Sequence, residues 1–173
     1  DVTIPSVISR LPVVGIGDNA FKGCTNLPGV AIPDTVTRIG RFAFSGCTGL
    51  THVTIPASVT VIDVCSFNGC SRLLSISVEA ANSAYSSSAD GVLFDKARTS
   101  LVSYPAGKAG NYVIPGGVTS IGVSAFSDCG SLTGVEFPSG LTSIGACAFD
   151  RCPGLTRVTI PQGVTSIGGW AFQ

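Results

Sequence analysis

Apolar and polar positions in this chain recur in short runs that return every 23 residues. The first run reads Val30-Ala-Ile-Pro33, with copies at Val53-Thr-Ile-Pro56, Tyr112-Val-Ile-Pro115, Val135-Glu-Phe-Pro138 and Val158-Thr-Ile-Pro161. Its alternation has period two, that of a half-buried strand. Proline closes the strand because it has no N–H to give to a ladder. A second apolar pair follows in each copy, as in Val36…Ile39-Gly40 and Leu141…Ile144-Gly145. It predicts a second short extended stretch, with Gly supplying a bend whose φ other residues resist. Third comes Ala-Phe-x-x-Cys-x-x-Leu, as in Ala43-Phe44…Cys47…Leu50. Its spacing is helical but too short for more than about one helical or 3-10 turn.

Self-similarity at such a period is the mark of a solenoid. The predicted fold is a single domain, mainly parallel β with single turns, in which Ile stacks on Ile, Phe on Phe and Cys on Cys. At about 4.8 Å per coil the stack is roughly 30–35 Å long. Units run over 2–29, 30–52, 53–75, 112–134, 135–157 and a truncated 158–173, with 76–111 as one enlarged irregular unit. The first unit carries five extra residues between Pro5 and Ile16. In the enlarged unit Asn82–Asp90 is rich in Ser and Ala and is expected to be an exposed loop. Gly91-Val-Leu-Phe94 and Leu101-Val-Ser-Tyr104 flank a polar stretch and predict a β-hairpin. Neither terminus shows a polar capping unit, so the sequence is expected to be a segment of a longer solenoid protein.

Composition narrows the chemistry. Ten Lys and Arg balance ten Asp and Glu, which argues against a nucleic-acid partner. No apolar run approaches the length of a membrane span, so no insertion is expected within this segment. The cysteines at 24, 47, 70, 129 and 152 fall on the repeat and are expected to be small buried fillers. A zinc site would want closely spaced Cys with His partners, and the chain's one His, His52, stands alone before a strand. Cys65 and Cys147 share a repeat position with Phe42 and Trp170, at a partly buried edge, and a bridge there is left open. The carboxylates occupy unrelated repeat positions and form no pair of the kind hydrolysis needs. No catalytic residue, cofactor or metal is assigned.

The pattern Leu-x-x-Val-x-Ile-Pro-x-x-Val-x-x-Ile-Gly-x-x-Ala-Phe-x-x-Cys resembles the BspA-like, or Treponema pallidum-type, leucine-rich repeat. The fit is best over residues 30–75 and 112–172. The resemblance implies a leucine-rich-repeat solenoid, a curved right-handed stack of coils from a secreted or cell-surface protein. It also implies a non-catalytic role in adhesion or protein binding, with an extracellular or host protein or glycan as partner. The alternative is a passive spacer or stalk that displays other domains.

Two columns of side chains are expected on the surface. One holds Thr37, Thr60, Thr119, Thr142 and Thr165, and the other Thr3, Ala31, Thr54, Ser77, Val113, Glu136 and Thr159. Small, β-branched and hydroxylated residues suit a pleated surface. They could also make a flat recognition face or, with less support, an ice-binding one. Binding energy concentrates on exposed aromatic residues, and Phe42, Tyr85, Tyr104 and Trp170 are the candidates for partner contact.

Overall fold

The computed structural model describes residues 2–173. Its strands are short. The first half holds β1 (Val2–Thr3), β2 (Val7–Ile8), β3 (Leu11–Pro12), β4 (Gly15–Ile16), β5 (Gly29–Ala31), β6 (Arg38–Ile39), β7 (His52–Ile55) and β8 (Val61–Ile62). The enlarged unit supplies β9 (Ser75–Val78), β10 (Tyr85–Ser87), β11 (Leu93–Asp95), β12 (Ser100–Ser103) and β13 (Gly110–Val113). The last coils hold β14 (Ser120–Ile121), β15 (Leu132–Glu136), β16 (Ser143–Ile144) and β17 (Ser166–Ile167).

Successive coils pair in parallel with a shift of one repeat, so a parallel-strand leucine-rich-repeat solenoid results. On the main face β1, β5, β7 and β9 form one sheet and β13 and β15 another. Val30 lies beside Val53 and Val53 beside Ile76. The second apolar pair builds a side sheet, in which Ile16, Ile39 and Ile62 are neighbours and so are Ile121, Ile144 and Ile167. The five extra residues of the first unit form the antiparallel β2–β3 hairpin, turning through Ser9 and Arg10 at positive φ.

The third corner departs from expectation. No helix is present among the described residues, and Ala-Phe-x-x-Cys lies in a run of turns. The cause is a column of left-handed residues at its start: Asn19, Phe42, Cys65, Ser124, Cys147 and Trp170 have φ between 53° and 61°. An L-residue in that region interrupts right-handed helical propagation. Backbone N–H groups then alternate in direction. Ala43, Ser45 and Cys47 donate back within the turn, to Gly40, Phe42 and Phe44. Phe44 and Gly46 donate across to the next coil, to Ser66 and Asn68, each at 2.8 Å. The corner is thus a ladder with its own inter-coil bonds, satisfying groups that an isolated helical turn would leave orphaned.

The glycine after each Ile is explained by contact, since none of Gly17, Gly40, Gly122, Gly145 or Gly168 has a positive φ. A Cβ on Gly145 would lie 2.6 Å from the carbonyl carbon of Gly122 and 2.6 Å from the nitrogen of Val123, on the preceding coil. Asp63 stands at this position in the third coil and shows what a side chain does there. The bond beside it, Phe42 N–H to Val64 C=O, is 3.4 Å, against 2.9 Å for the matching bonds Ser124 to Ala146 and Cys147 to Gly169. Asp63 recovers an ion pair with Arg38 at 2.6 Å. Gly145→Ala has no such partner and is expected to cost about 1–3 kcal/mol, as overpacking does. Urea titration should show a lower midpoint, and an unchanged midpoint would mean that the coils slide apart freely.

The core divides in two at the enlarged unit. One cluster runs from Ile16 to Leu93 and the other from Val92 to Ala171. Rings stack within each: Phe21, Phe44 and Phe67 at 5.2 and 5.5 Å, then Tyr104, Phe126, Phe149 and Phe172 at 4.8, 4.7 and 5.1 Å. The thiols of Cys47, Cys70 and Cys152 donate to the carbonyls of Phe21, Phe44 and Phe126 at 3.0–3.1 Å. Burial pushes the Cys70 thiol up to about 12, so it stays protonated and keeps that bond. All seven cysteines are free thiols; Cys24, in the first coil, is exposed, against the expected burial.

The expected hairpin is present as β11 and β12, paired antiparallel, and β12 passes the side sheet on to β14. The expected exposed loop over Asn82–Asp90 is not. Tyr85–Ser87 is a third strand, paired with β11. Asn82 is buried and donates to the carbonyls of Pro56 and Val59 at 2.8 and 2.9 Å. Its Oδ1 accepts from the N–H groups of Ala84 and Tyr85. Lys96 Nζ donates to the carbonyls of Ala80 and Asn82. A polar side chain that closes four backbone bonds turns the Ser-rich stretch inward, a pairing that composition does not reveal.

Candidate interaction surfaces

The two expected surface columns are both exposed, and they differ in chemistry. In the threonine column the hydroxyls are already engaged. Thr37 donates to Val14 C=O at 3.1 Å, Thr142 to Thr119 C=O at 2.9 Å and Thr165 to Thr142 C=O at 3.3 Å. These side chains clamp one coil to the one before, leaving mainly their methyl groups for solvent. On the main face, Thr3, Ala31, Thr54, Ser77, Val113, Glu136 and Thr159 are all exposed, because alternate residues of a strand point to opposite faces. This face carries few charges. Where Glu136 breaks the run, its carboxylate accepts from Asn111 Nδ2 at 2.9 Å.

The four candidate aromatic residues occupy unlike environments. Trp170 is 72% exposed and belongs to the left-handed corner column. Phe42, in the same column, is half-buried, and Lys22 Nζ lies 5.4 Å from its ring centre. A cation over a ring face is attracted by the ring quadrupole. Tyr85 is half-buried, and its hydroxyl accepts the N–H of Ile62 at 2.9 Å, filling a side-sheet position that the enlarged unit leaves empty.

Tyr104 is not exposed. It is 4% accessible, stacks on Phe126, and its N–H donates to Ala125 C=O at 2.7 Å as Phe44 N–H does to Ser66. It replaces the repeat's Phe in the enlarged coil. Burial, with Cys129 and Asp90 nearby, pushes its phenol up to about 12. The structure therefore brings Phe42 and Trp170 onto one edge at opposite ends of the stack, and places Tyr85 and Tyr104 inside the enlarged coil.

Charge gathers on the corner edge. Arg151 pairs with Asp128 at 2.8 Å and with Asp150 at 3.3 Å, and Arg38 pairs with Asp63. Such half-exposed pairs contribute little to stability. Among the described residues, no three His, Cys, Asp or Glu side chains are grouped to hold a metal ion. No helix is long and apolar enough to cross a membrane. Sequence reasoning missed Asn82; a lone Asn between two strand patterns is the signal that could have pointed to it.

The description "BspA type Leucine rich repeat region" matches this chain in six copies, over residues 2–92 and 104–173. No curated protein matches. Among solved structures, a leucine-rich repeat protein from Eubacterium ventriosum is 25% identical with a TM-score of 0.68, over 96% of this chain and 61% of that one. A leucine rich cell surface protein from Faecalibacterium prausnitzii is 30% identical with a TM-score of 0.75, over 99% of this chain and 50% of that one. The leucine-rich repeat protein of T. pallidum is 30% identical with a TM-score of 0.59, over 96% and 72%. This chain thus spans between half and two thirds of the first two.

Proposed function

Because this chain belongs to the BspA-type leucine-rich-repeat family, we propose that it is a non-catalytic interaction module, presented on a cell surface or outside the cell, that binds a protein or glycan partner. The observation that carries this reading is the main face, where every outward strand position from Thr3 to Thr159 is exposed and all but Glu136 are uncharged. A row of small side chains on closely spaced strands gives a partner area without an entropy cost for ordering long side chains. The exposed indole of Trp170 and the ring of Phe42 flank it as anchors. Binding through shape and area requires no covalent step. The cell-surface placement draws on the F. prausnitzii protein, which is described as a cell surface protein.

The test is an array of purified extracellular matrix proteins, host surface proteins and glycans, read by biolayer interferometry. Saturable binding is expected, and Phe42→Ala with Trp170→Ala should weaken it at least tenfold, the effect of losing an aromatic anchor. Absence of saturable binding across the array favours a spacer that displays other domains.

A further inference from the structure

Every strand segment of the main face pairs with its neighbour, coil to coil, until the last one. Gly29–Ala31 pairs with His52–Ile55, that strand with Ser75–Val78, and Gly110–Val113 with Leu132–Glu136. The copy in the last coil, Leu155-Thr-Arg-Val-Thr-Ile160, has the same alternation. No backbone hydrogen bond joins residues 156–161 to β15 among the described residues. The rest of that coil is attached. Ser166 and Ile167 pair with Ser143 and Ile144, and Phe149 N–H donates to Ala171 C=O at 2.7 Å. The last coil is therefore fastened on two faces and open on the third.

The opening is a groove of about 600 Å³, with Gly134–Phe137 on one wall and Arg157–Thr159 on the other. We propose that this groove takes an extended peptide segment of a partner protein as an added strand, lying between β15 and the last coil. At normal strand and sheet spacings one residue fills roughly 160 Å³, so the groove matches about four residues. Both walls present main-chain groups that no strand pairs, and one inserted strand satisfies both, the logic of β-strand addition. Val135 and Val158 line the inner side. Glu136 and Arg157 stand on opposite walls, so the rim carries one charge of each sign. The occupant is accordingly an uncharged, β-branched segment with apolar side chains at alternate positions. The site is separate from Phe42 and Trp170, and the proposal rests on the interaction reading only in that the occupant belongs to a partner.

The probe is a labelled, end-blocked peptide copying residues 155–161 of this chain, with Arg157 replaced by Thr. Fluorescence anisotropy should show saturable binding that weakens at least tenfold when alternate peptide amides are N-methylated. Hydrogen exchange should find the amides of 133–136 and 156–160 unprotected alone and protected with peptide. Binding should survive Phe42→Ala and Trp170→Ala. The proposal is overturned by no binding at millimolar peptide, by equal binding of the N-methylated form, or by full protection of 156–160 without peptide, which would mean that the last coil closes on β15 itself. Peptide binding with no array partner would sink the anchor reading alone, and the reverse would sink this one alone.

Discussion

Phe44→Ala is expected to unfold one half of this molecule while the other half stays intact. Phe44 is fully buried, with Phe21 and Phe67 stacked on its two faces at 5.2 and 5.5 Å and nearly parallel. Deleting such a ring costs about 3–5 kcal/mol in transfer and cavity terms. Each lost ring pair adds about 0.5–1.5 kcal/mol. In a solenoid that loss stays near where it is made, because each coil touches only its neighbours. The core reinforces this, since the cluster holding Phe44 ends at Leu93 and the other begins at Val92. Hydrogen exchange should therefore show protection collapsing over residues 16–76 and persisting over 118–152. Phe44→Leu, which keeps most of the volume, should cost much less. Equal loss of protection in both halves would show that the enlarged coil transmits the damage, and the division of the core would then have no energetic meaning.

The second large effect is expected at Asn82. Its side chain is buried and closes four backbone bonds, to Pro56, Val59, Ala84 and Tyr85. Asn82→Ala leaves those groups without partners, and each buried polar group so stranded costs about 1–3 kcal/mol. Water entering the space recovers part of this, so a loss of about 3–5 kcal/mol is expected, concentrated in β10 and in the Tyr85 hydroxyl bond to Ile62. Asn82→Asp gives a sharper result. The carboxylate still accepts from Ala84 and Tyr85 but faces the carbonyls of Pro56 and Val59. The protonated acid can donate to one of them, so folding raises its pKa above the unfolded value of about 3.9. Its contribution is then fully present below that value and lost as pH rises through the folded pKa. Denaturation midpoints of Asn82→Asp measured against the native chain should converge on acidification. A constant gap between them across pH would refute the arrangement of bonds around Asn82.

How much could be read in advance differs by position along the repeat. The two strands per coil were legible because alternation, proline and register repeat the same statement six times. The corner was misread: Ala-Phe-x-x-Cys has helical spacing, yet the chain there alternates its N–H groups between its own turn and the next coil. Spacing reports which side chains face inward, and both conformations put Ala43, Phe44 and Cys47 inside. The glycine after Ile was legible as a requirement and misread in kind. Backbone freedom and close approach both select Gly, and only the neighbouring coil at Gly122 and Val123 separates the two. Phe42 and Trp170 were placed on one edge by period alone. Tyr104 was lost because it lies in the enlarged unit, where the period that assigns positions is interrupted.

The sequence by itself determined the solenoid, its register and the identity of each ladder, because a short period repeated along one axis leaves each apolar residue one set of neighbours. Tertiary structure alone decided what happens where the period fails or ends. Asn82 folds a polar segment inward through bonds to carbonyls 23 and 26 residues away. The last coil holds on two faces and opens a groove on the third. Both outcomes depend on backbone groups competing for partners in other coils, and backbone groups are the same in every residue.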